Sequence, residues 1–295
     1  MSTPSPITLP RLLPPLPLVV AVYGLSYIPF SALSKLSGAT YGPVGILTAS
    51  VCASAVMWLI MLSVGGWWSD LRRGLSLQSF LSGFASVGIL FASIFVYGEP
   101  RLSIILPLLL MKGGVLLMSP AIDRLRNRDV DLRSGTVVVL AALAILVGFA
   151  PKMGGEASAV AVTCAALYLL GYGLKLPTTD AGKADPWPFL VAEMSVTALL
   201  SVALTLPVLF VLPESLRAMS DPLPLLSGAF STLCGFFGGL ILLHRGGHTL
   251  LVSLSRCASV IAGITATVLL GKSVGGAEMA GAGLMCLALW IGVRR

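Results

Sequence analysis

Ten apolar runs of 17 to 24 residues follow one another along this chain, at 15–35, 43–64, 77–97, 102–120, 134–150, 157–175, 188–211, 223–243, 248–270 and 276–293. A helix needs roughly 20 mostly apolar residues to cross the hydrocarbon core of a bilayer, so each run reads as a membrane span. The predicted fold is all-α and integral to the membrane, with ten transmembrane helices. Composition agrees. Of 295 residues, 56% are hydrophobic and 11% charged, against about 25% charged in a soluble globular protein; the mean hydropathy is +0.96. A soluble core of this size would need a polar shell that the sequence does not supply. The most polar connections, 122–133 (IDRLRNRDVDLR) and 177–186 (PTTDAGKADP), are too short for a soluble domain.

The net charge of +7 does not point to nucleic acid, because no long basic tract or basic helix face exists. Lys and Arg sit mostly in the links, where they report topology. One side of a ten-span arrangement collects twelve: Arg11, Arg72, Arg73, Arg124, Arg126, Arg128, Arg133, Lys175, Lys183, Arg245, Arg294 and Arg295. The other holds five: Lys35, Arg101, Lys152, Arg217 and Lys272. The positive-inside rule assigns the larger set to the cytoplasm. The expectation is a multi-pass protein of the cell (inner) membrane with both termini cytoplasmic. Residues 1–14 form a Pro-rich cytoplasmic segment, and the run after it, lacking a convincing cleavage site, reads as a signal anchor retained as the first helix. The five cysteines lie inside apolar runs with no CxxC pair and read as small hydrophobic fillers.

The chain also repeats itself. At an offset of 145, Ala21–Tyr27 falls on Ala166–Tyr172 with both Tyr pairs in register, Pro43 on Pro188, Ser50-Val51 on Ser195-Val196, and Leu81-Ser82-Gly83 on Leu226-Ser227-Gly228. After one deletion, at an offset of 144, Lys112 falls on Arg256, and Leu143, Ala144 and Gly148 fall on Leu287, Ala288 and Gly292. The unit holds five spans, so residues 15–150 form a first repeat and 157–293 a second. An odd number of spans makes the second copy enter the membrane from the opposite face, giving two inverted five-helix repeats, a plan shared by many secondary transporters.

Three charges fall deep within spans: Lys112, Glu193 and Arg256. A charge at a helix centre costs about 2.5–3.5 kcal/mol on insertion scales and persists where it faces a cavity or a partner. Lys112 and Arg256 hold equivalent repeat positions, so pseudo-symmetry is expected to set them on opposite walls of one central cavity as an anion site. The competing reading is that Glu193 neutralises one of them. Glu193 also suits proton coupling, since a buried carboxylate can titrate near neutral pH. Tyr23 and Tyr27, like Tyr168 and Tyr172, share a helix face at i, i+4, and either line a pathway or serve packing and interfacial anchoring. Lys175 reads as a side chain snorkelling to the interface.

The link Tyr97-Gly98-Glu99-Pro100-Arg101 and its repeat partner His244-Arg245-Gly246-Gly247 suit an outer and an inner gate, with ordinary charged turns as the alternative. This makes Tyr97, Glu99, Arg101 and His244 the gating candidates. His244 and His248 stand four apart, but Gly246-Gly247 interrupts any helix and no carboxylate is near in sequence, so no metal site is expected. Lys112-Gly113-Gly114 and Gly271-Lys272-Ser273 are fragments of phosphate-loop patterns without the full frame. With two His in total and no nucleophile elbow, a membrane-embedded enzyme acting on a lipid headgroup is the weaker reading, as is a scaffold, which has no use for buried charge. No cofactor is implied. The expected partners are the lipid bilayer and a small-molecule substrate, with a homodimer left open.

In its five-plus-five repeat, its length, its cytoplasmic termini, the segment SPAIDRLRNRDV after the fourth span and the small-residue tenth helix GGAEMAGAGLMCLALWIGVRR, the chain resembles the drug/metabolite transporter superfamily, in its ten-helix branch with EamA-like repeats, over residues 15–293. The resemblance implies alternating access around a site between the two halves. In the sugar-phosphate and nucleotide-sugar branch of that superfamily, basic residues on helices 4 and 9 bind substrate phosphate, and Lys112 and Arg256 match them by helix and by repeat position. The chain departs from many EamA-like repeats in carrying Leu270-Gly271-Lys272-Ser273 after helix 9, and it shows no helix-7 motif for a nucleotide base. The expected function is secondary transport of a small anionic or zwitterionic organic metabolite, including phosphorylated ones. The alternatives are an amino-acid or amphiphile exporter, or a flippase for a phosphorylated lipid carrier.

Overall fold

A computed structural model describes residues 13–126, 132–149 and 156–293. Most of the 1–14 segment, with Arg11, Arg128, Lys152, Arg294 and Arg295 of the topology signal, lies outside them. Among the described residues no strand occurs. The helices are α1 (Leu16–Val64), α2 (Trp68–Gly74), α3 (Leu77–Gly98), α4 (Ile105–Leu125), α5 (Leu132–Phe149), α6 (Glu156–Gly182), α7 (Pro186–Val211), α8 (Pro213–Met219), α9 (Pro222–Leu243), α10 (His248–Leu269) and α11 (Gly276–Val293). Seven of them are long and apolar enough to cross a membrane, and Gly135–Gly148 and Gly276–Ala288 are shorter apolar helices. Large apolar side chains also point outward, including Leu25, Leu170, Phe210 and Val211. Apolar exposure spread along the helices in this way is what lipid accepts and water penalises. The chain is an all-α membrane protein.

Helix α1 covers the first two predicted spans. Its 49 residues would reach about 74 Å if straight, far more than a bilayer, and the helix is in fact broken. Gly42 sits at φ 70°, ψ 166°, in a region that only glycine enters without strain. Pro43 follows, and a residue before proline is pushed out of the helical region. The two arms of α1 are thus the predicted helices 1 and 2, the first running six residues past its expected end.

Helix α6 likewise outruns its prediction, through 176–182, where a polar loop was expected. Pro177 cannot donate a backbone hydrogen bond, yet Thr178 Oγ1 donates to the carbonyls of Leu174 and Lys175, and Thr179 Oγ1 to that of Leu176. Arg126 at the end of α4 donates to the Pro177 carbonyl at 2.9 Å. Backbone acceptors around the proline are therefore occupied and the helix carries on.

Helix ends are closed from within. Ser76 and Ser79 form a reciprocal cap on α3. Asp221 caps α9 through Leu223 N at 2.8 Å and accepts from Tyr41 Oη at 2.8 Å. Asp123 of α4 caps α10, accepting from His248 N at 3.1 Å, Thr249 N at 2.8 Å and Thr249 Oγ1 at 2.7 Å. A negative side chain at a helix N-terminus satisfies orphan donors and meets the positive end of the dipole.

The long elements pack as α1 on α3, α7, α9 and α10; α3 on α6 and α7; α4 on α5, α6 and α10; and α5 on α11. Small residues permit the closest approaches, as is usual where lipid supplies no hydrophobic drive between helices. A methyl group on Gly38 of α1 would lie 1.9 Å from the Gly98 carbonyl of α3, and one on Gly228 of α9 would lie 2.1 Å from the Ser50 carbonyl of α1.

Those contacts are with backbone, which cannot swing aside. Gly38→Ala and Gly228→Ala are each expected to lower the melting temperature of the detergent-purified protein by several degrees, since overpacking costs about 1–3 kcal/mol. Gly283→Ala, where no heavy atom lies within 4 Å, should leave it unchanged or slightly raised. Unchanged melting in both crowded variants would contradict the close helix contacts.

Candidate functional site

Lys112 of α4 and Arg256 of α10 are 3% and 1% exposed. Each needs an acceptor, because a buried charge without a hydrogen bond is costly. Both find the same one: Lys112 Nζ donates to Tyr168 Oη at 2.5 Å and Arg256 Nη1 donates to that oxygen at 2.8 Å. The two cations therefore stand side by side on one phenol of α6, not on opposite walls as pseudo-symmetry suggested. The reason is that α4 packs directly on α10, so equivalent positions on the two helices meet near their crossing.

Among the described residues no carboxylate lies within ion-pairing distance of either cation. Aromatic faces supply the compensation. Lys112 Nζ lies 4.6 Å from the Tyr168 ring centre and 5.0 Å from that of Tyr27, and the Arg256 guanidinium lies 4.4 Å from the ring centre of Tyr172. Each such contact contributes about 0.5–2 kcal/mol. Like charges ~5 Å apart repel by about 3 kcal/mol at an effective dielectric near 20, which is comparable with the sum of the aromatic contacts, so the cost of taking two charges out of water still stands. The neutral phenolic oxygen of Tyr168 occupies the bridging position that an oxyanion would fill better.

A cavity of about 710 Å³, counting its open mouth, lies against this centre. Tyr23, Tyr27, Tyr168, Tyr172 and Lys112 all line it, so both i, i+4 tyrosine pairs turn the same way, inward. Arg256 does not line it; the guanidinium lies behind the Tyr168 and Tyr172 rings and acts on the cavity through them. Ser54, Ser86, Ser93, Thr197, Ser231 and Thr232 also line it, among apolar residues such as Phe30, Ile89, Leu90 and Met194.

Glu193 of α7 pairs with neither Lys112 nor Arg256. Its Oε1 accepts from Lys175 Nζ and, at 3.0 Å, from Ser86 Oγ of α3, while Lys175 Nζ also donates to Ser86 Oγ at 2.8 Å. Glu193 is fully buried and Lys175 is 6% exposed. This corrects the interfacial reading of Lys175: α6 continues to Gly182, which places Lys175 two turns inside the helix. With Tyr168 and Tyr172 it forms an i, i+4, i+7 face, and it too lines the cavity.

The gating candidates separate. Tyr97 is buried behind the cavity lining, its hydroxyl 2.7 Å from that of Tyr27, and its ring meets Phe30 edge-on at 5.8 Å. It positions Tyr27 and does not sit in the link. Glu99 and Arg101 are in the link between α3 and α4, Arg101 exposed, with Nε 4.0 Å from Glu99 Oε1. Lys35, which sequence reasoning left among the loop charges, ties this link down by donating to the carbonyls of Glu99 and Leu102. His244 ends α9, half-buried, and burial lowers its pKa.

The link after His244 is held by Asp180 and Lys183. His248 Nε2 lies 3.1 Å from Asp180 Oδ2, Lys183 Nζ lies 3.1 Å from Asp180 Oδ1, and Lys183 donates to the Gly246 carbonyl at 3.0 Å. Lys35 and Asp180 are themselves 145 residues apart, a signal present in the repeat but carried by residues of unlike type. Among the described residues no group of three or more His, Cys, Asp or Glu side chains is placed to hold a metal ion.

Removing one partner of a buried ion pair costs about 3–5 kcal/mol, because the other charge is left uncompensated. Lys175→Gln and Glu193→Gln are each expected to destabilise on that scale, and the double variant to recover much of the loss. A thermal-unfolding double-mutant cycle measures the coupling. The cycle of Lys112→Gln with Glu193→Gln should show none, and strong coupling there would overturn the pairing.

No protein-family model matches the chain, and no curated protein matches it. A solved structure described only as a crystal structure of a protein is similar in fold, with a TM-score of 0.60 and 17% sequence identity over 92% of this chain and 95% of that one. At that identity the likeness is one of fold alone.

Proposed function

We propose that the protein is a secondary transporter that carries a small anionic or zwitterionic organic metabolite, including phosphorylated ones, across the membrane by alternating access, on the ten-helix, two-inverted-repeat plan of the drug/metabolite transporter superfamily. The observation that carries this reading is the convergence of Lys112 and Arg256 on one neutral oxygen beside a cavity, with no carboxylate among the described residues to pair them. Two adjacent cations with no carboxylate counter-ion in a low-dielectric site are costly, and an anionic ligand is what relieves them. A cavity lined by aromatic rings, hydroxyls and the ammonium groups of Lys112 and Lys175 suits an organic anion.

Several features support the ten-span repeat. Counted as two arms of α1, six further long helices and two shorter apolar helices, the described elements supply ten candidate crossings. The short helices α2 and α8 stand 145 residues apart, as do α3 and α9, while α5 and α11 stand 144 apart. Packing is matched under the exchange: α2 lies on α7 as α8 lies on α1, and α3 lies on α7 as α9 lies on α1. The sequence coincidences are themselves contacts. Gly83 of α3 meets Val196 and the Glu193 carbonyl of α7, and Gly228 of α9 meets Ala53 and the Ser50 carbonyl of α1. The links tied down by Lys35 and by Asp180 with Lys183 suit gates on the two sides of the cavity.

Orientation follows from the Lys and Arg asymmetry. With native cysteines replaced, a cysteine at exposed Arg124 should stay unlabelled by an impermeant reagent added outside sealed cells. Efficient labelling would reverse the topology.

The ligand class is tested by thermal shift of the purified protein against phosphorylated and carboxylated metabolites and their uncharged analogues. Anions should raise the melting temperature and uncharged analogues should not. Lys112→Gln removes one of two repelling cations, so the variant is expected to melt no lower than wild type while losing most of the anion response. A response undiminished in a stable Lys112→Gln, Arg256→Gln protein would eliminate the anion site in favour of a neutral or cationic substrate.

A further inference from the structure

The Lys175–Glu193 pair is not needed to hold Lys112 and Arg256, yet Lys175 lines the same cavity, with buried Glu193 bonded to it from α7. Tyr168 and Lys175 share one face of α6 and are separated by seven residues, or about 10 Å along the axis. The cavity is therefore cationic at two levels, with the Tyr172 ring between them: the Lys112–Arg256 centre at Tyr168, and Lys175. The first level has no carboxylate partner among the described residues. The second is masked by Glu193.

We propose that Lys175 is a second anion subsite, unmasked when Glu193 takes up a proton, so that the substrate is a two-ended organic anion bound and carried together with one proton. This rests on the anion-transport reading above. Glu193 is fully buried, and its Oε2 has no hydrogen-bond partner among the described residues, so only half of the carboxylate is satisfied. Protonation gives a neutral acid, Lys175 keeps its own proton, and its ammonium then faces the cavity free to donate to an anionic group of the substrate. When that group leaves, Lys175 returns to Glu193 and the proton is released. Ser86, hydrogen-bonded to both partners, stays within reach of each through the exchange. Binding at Lys175 and protonation of Glu193 favour one another by linkage.

The setting restricts the proton to this carboxylate. Helix α7 packs on α1, α2, α3, α6, α8 and α9. From α6 come Lys175 and Tyr172, and from α9 Cys234. The first arm of α1 adds Tyr23 and Tyr27 on the cavity, with Tyr97 of α3 bonded to Tyr27, and α3 adds the Ser86 hydroxyl but no charged group. The charges of α2 lie at the start of α7, where Arg73 sits 3.5 Å from Asp185. Those of α8, Glu214 and Arg217, lie beyond its other end. Lys175 is the one charged side chain that the described residues place against Glu193.

The test measures proton uptake on ligand binding, with hexane-1,6-disulfonate and hexane-1-sulfonate as probes because sulfonates do not titrate between pH 5 and 8. Calorimetry of the purified full chain in buffers of different ionisation enthalpy counts the protons. Wild type should bind the disulfonate about tenfold or more tightly than the monosulfonate, as expected for an added charge-assisted contact, and take up close to one proton with the disulfonate alone. Glu193→Gln should keep the disulfonate preference and take up none. Lys175→Gln should lose the preference. Should Glu193→Gln fold poorly, the Lys175→Gln, Glu193→Gln protein, in which neither member of the pair keeps a charge, should bind both probes equally with no uptake. Equal binding of the two probes by wild type without proton uptake overturns the second subsite and leaves the anion site standing. Binding of neither probe overturns the anion site itself.

Discussion

Inside a bilayer no water is at hand to accept a hydrogen bond, so every donor and acceptor in a span must be met by the protein. Much of what is specific about this structure follows from that demand. Serines and threonines turn back onto their own helices, as Ser31 does to the Tyr27 carbonyl at 2.9 Å and Thr205 to the Ser201 carbonyl at 2.9 Å. Others bridge helices, as Ser34 does with Ser227 and Ser54 with Thr232, each at 2.7 Å. Lys35 reaches two carbonyls of a link, and Asp123 closes the start of a helix that is not its own. Polar groups that would be solvated in a soluble protein here dictate which helices meet.

The same demand makes the cavity informative. Glu193 is held by a cation and a hydroxyl. Lys112 and Arg256 are held by one phenol and by ring faces, which is the least that buried cations require. Lys112 thus meets the cavity with no carboxylate beside it among the described residues, whereas Lys175 meets it already paired with Glu193. The aromatic residues around it are arranged in relays: Tyr97 steadies Tyr27, and Tyr27 and Tyr168 flank the Lys112 ammonium.

Links and helix ends show where one-dimensional reasoning stops. Leu132–Phe149, Pro222–Leu243, His248–Leu269 and Gly276–Val293 lie within two residues of their predicted bounds, because hydropathy changes abruptly at Gly, Pro and charged residues there. The C-terminal ends of the first and sixth spans do not. Both continue as helices through polar sequence that tertiary contacts make tolerable, with Arg126 serving the Pro177 carbonyl and Lys35 buried against the link it holds. The short helices α2 and α8 were passed over because seven residues between spans carry no apolar period.

By itself the sequence determined the membrane as solvent, most of the spans, and the identity of the buried charges, since each of these is a matter of composition over a window the width of a bilayer. Lys112, Arg256 and the four tyrosines were legible because a cation deep in a span, or an aromatic pair at i, i+4, is costly or patterned whatever surrounds it. Pairing was not legible. Whether Glu193 answers Lys112, Arg256 or Lys175 depends on which helix faces α7 and at what depth. That is set by close approaches such as Gly83 on Val196 and by the extra turns of α6 that bring Lys175 inward. Only the tertiary structure chose Lys175, because the energy of an ion pair falls with a distance that the linear order of residues does not contain.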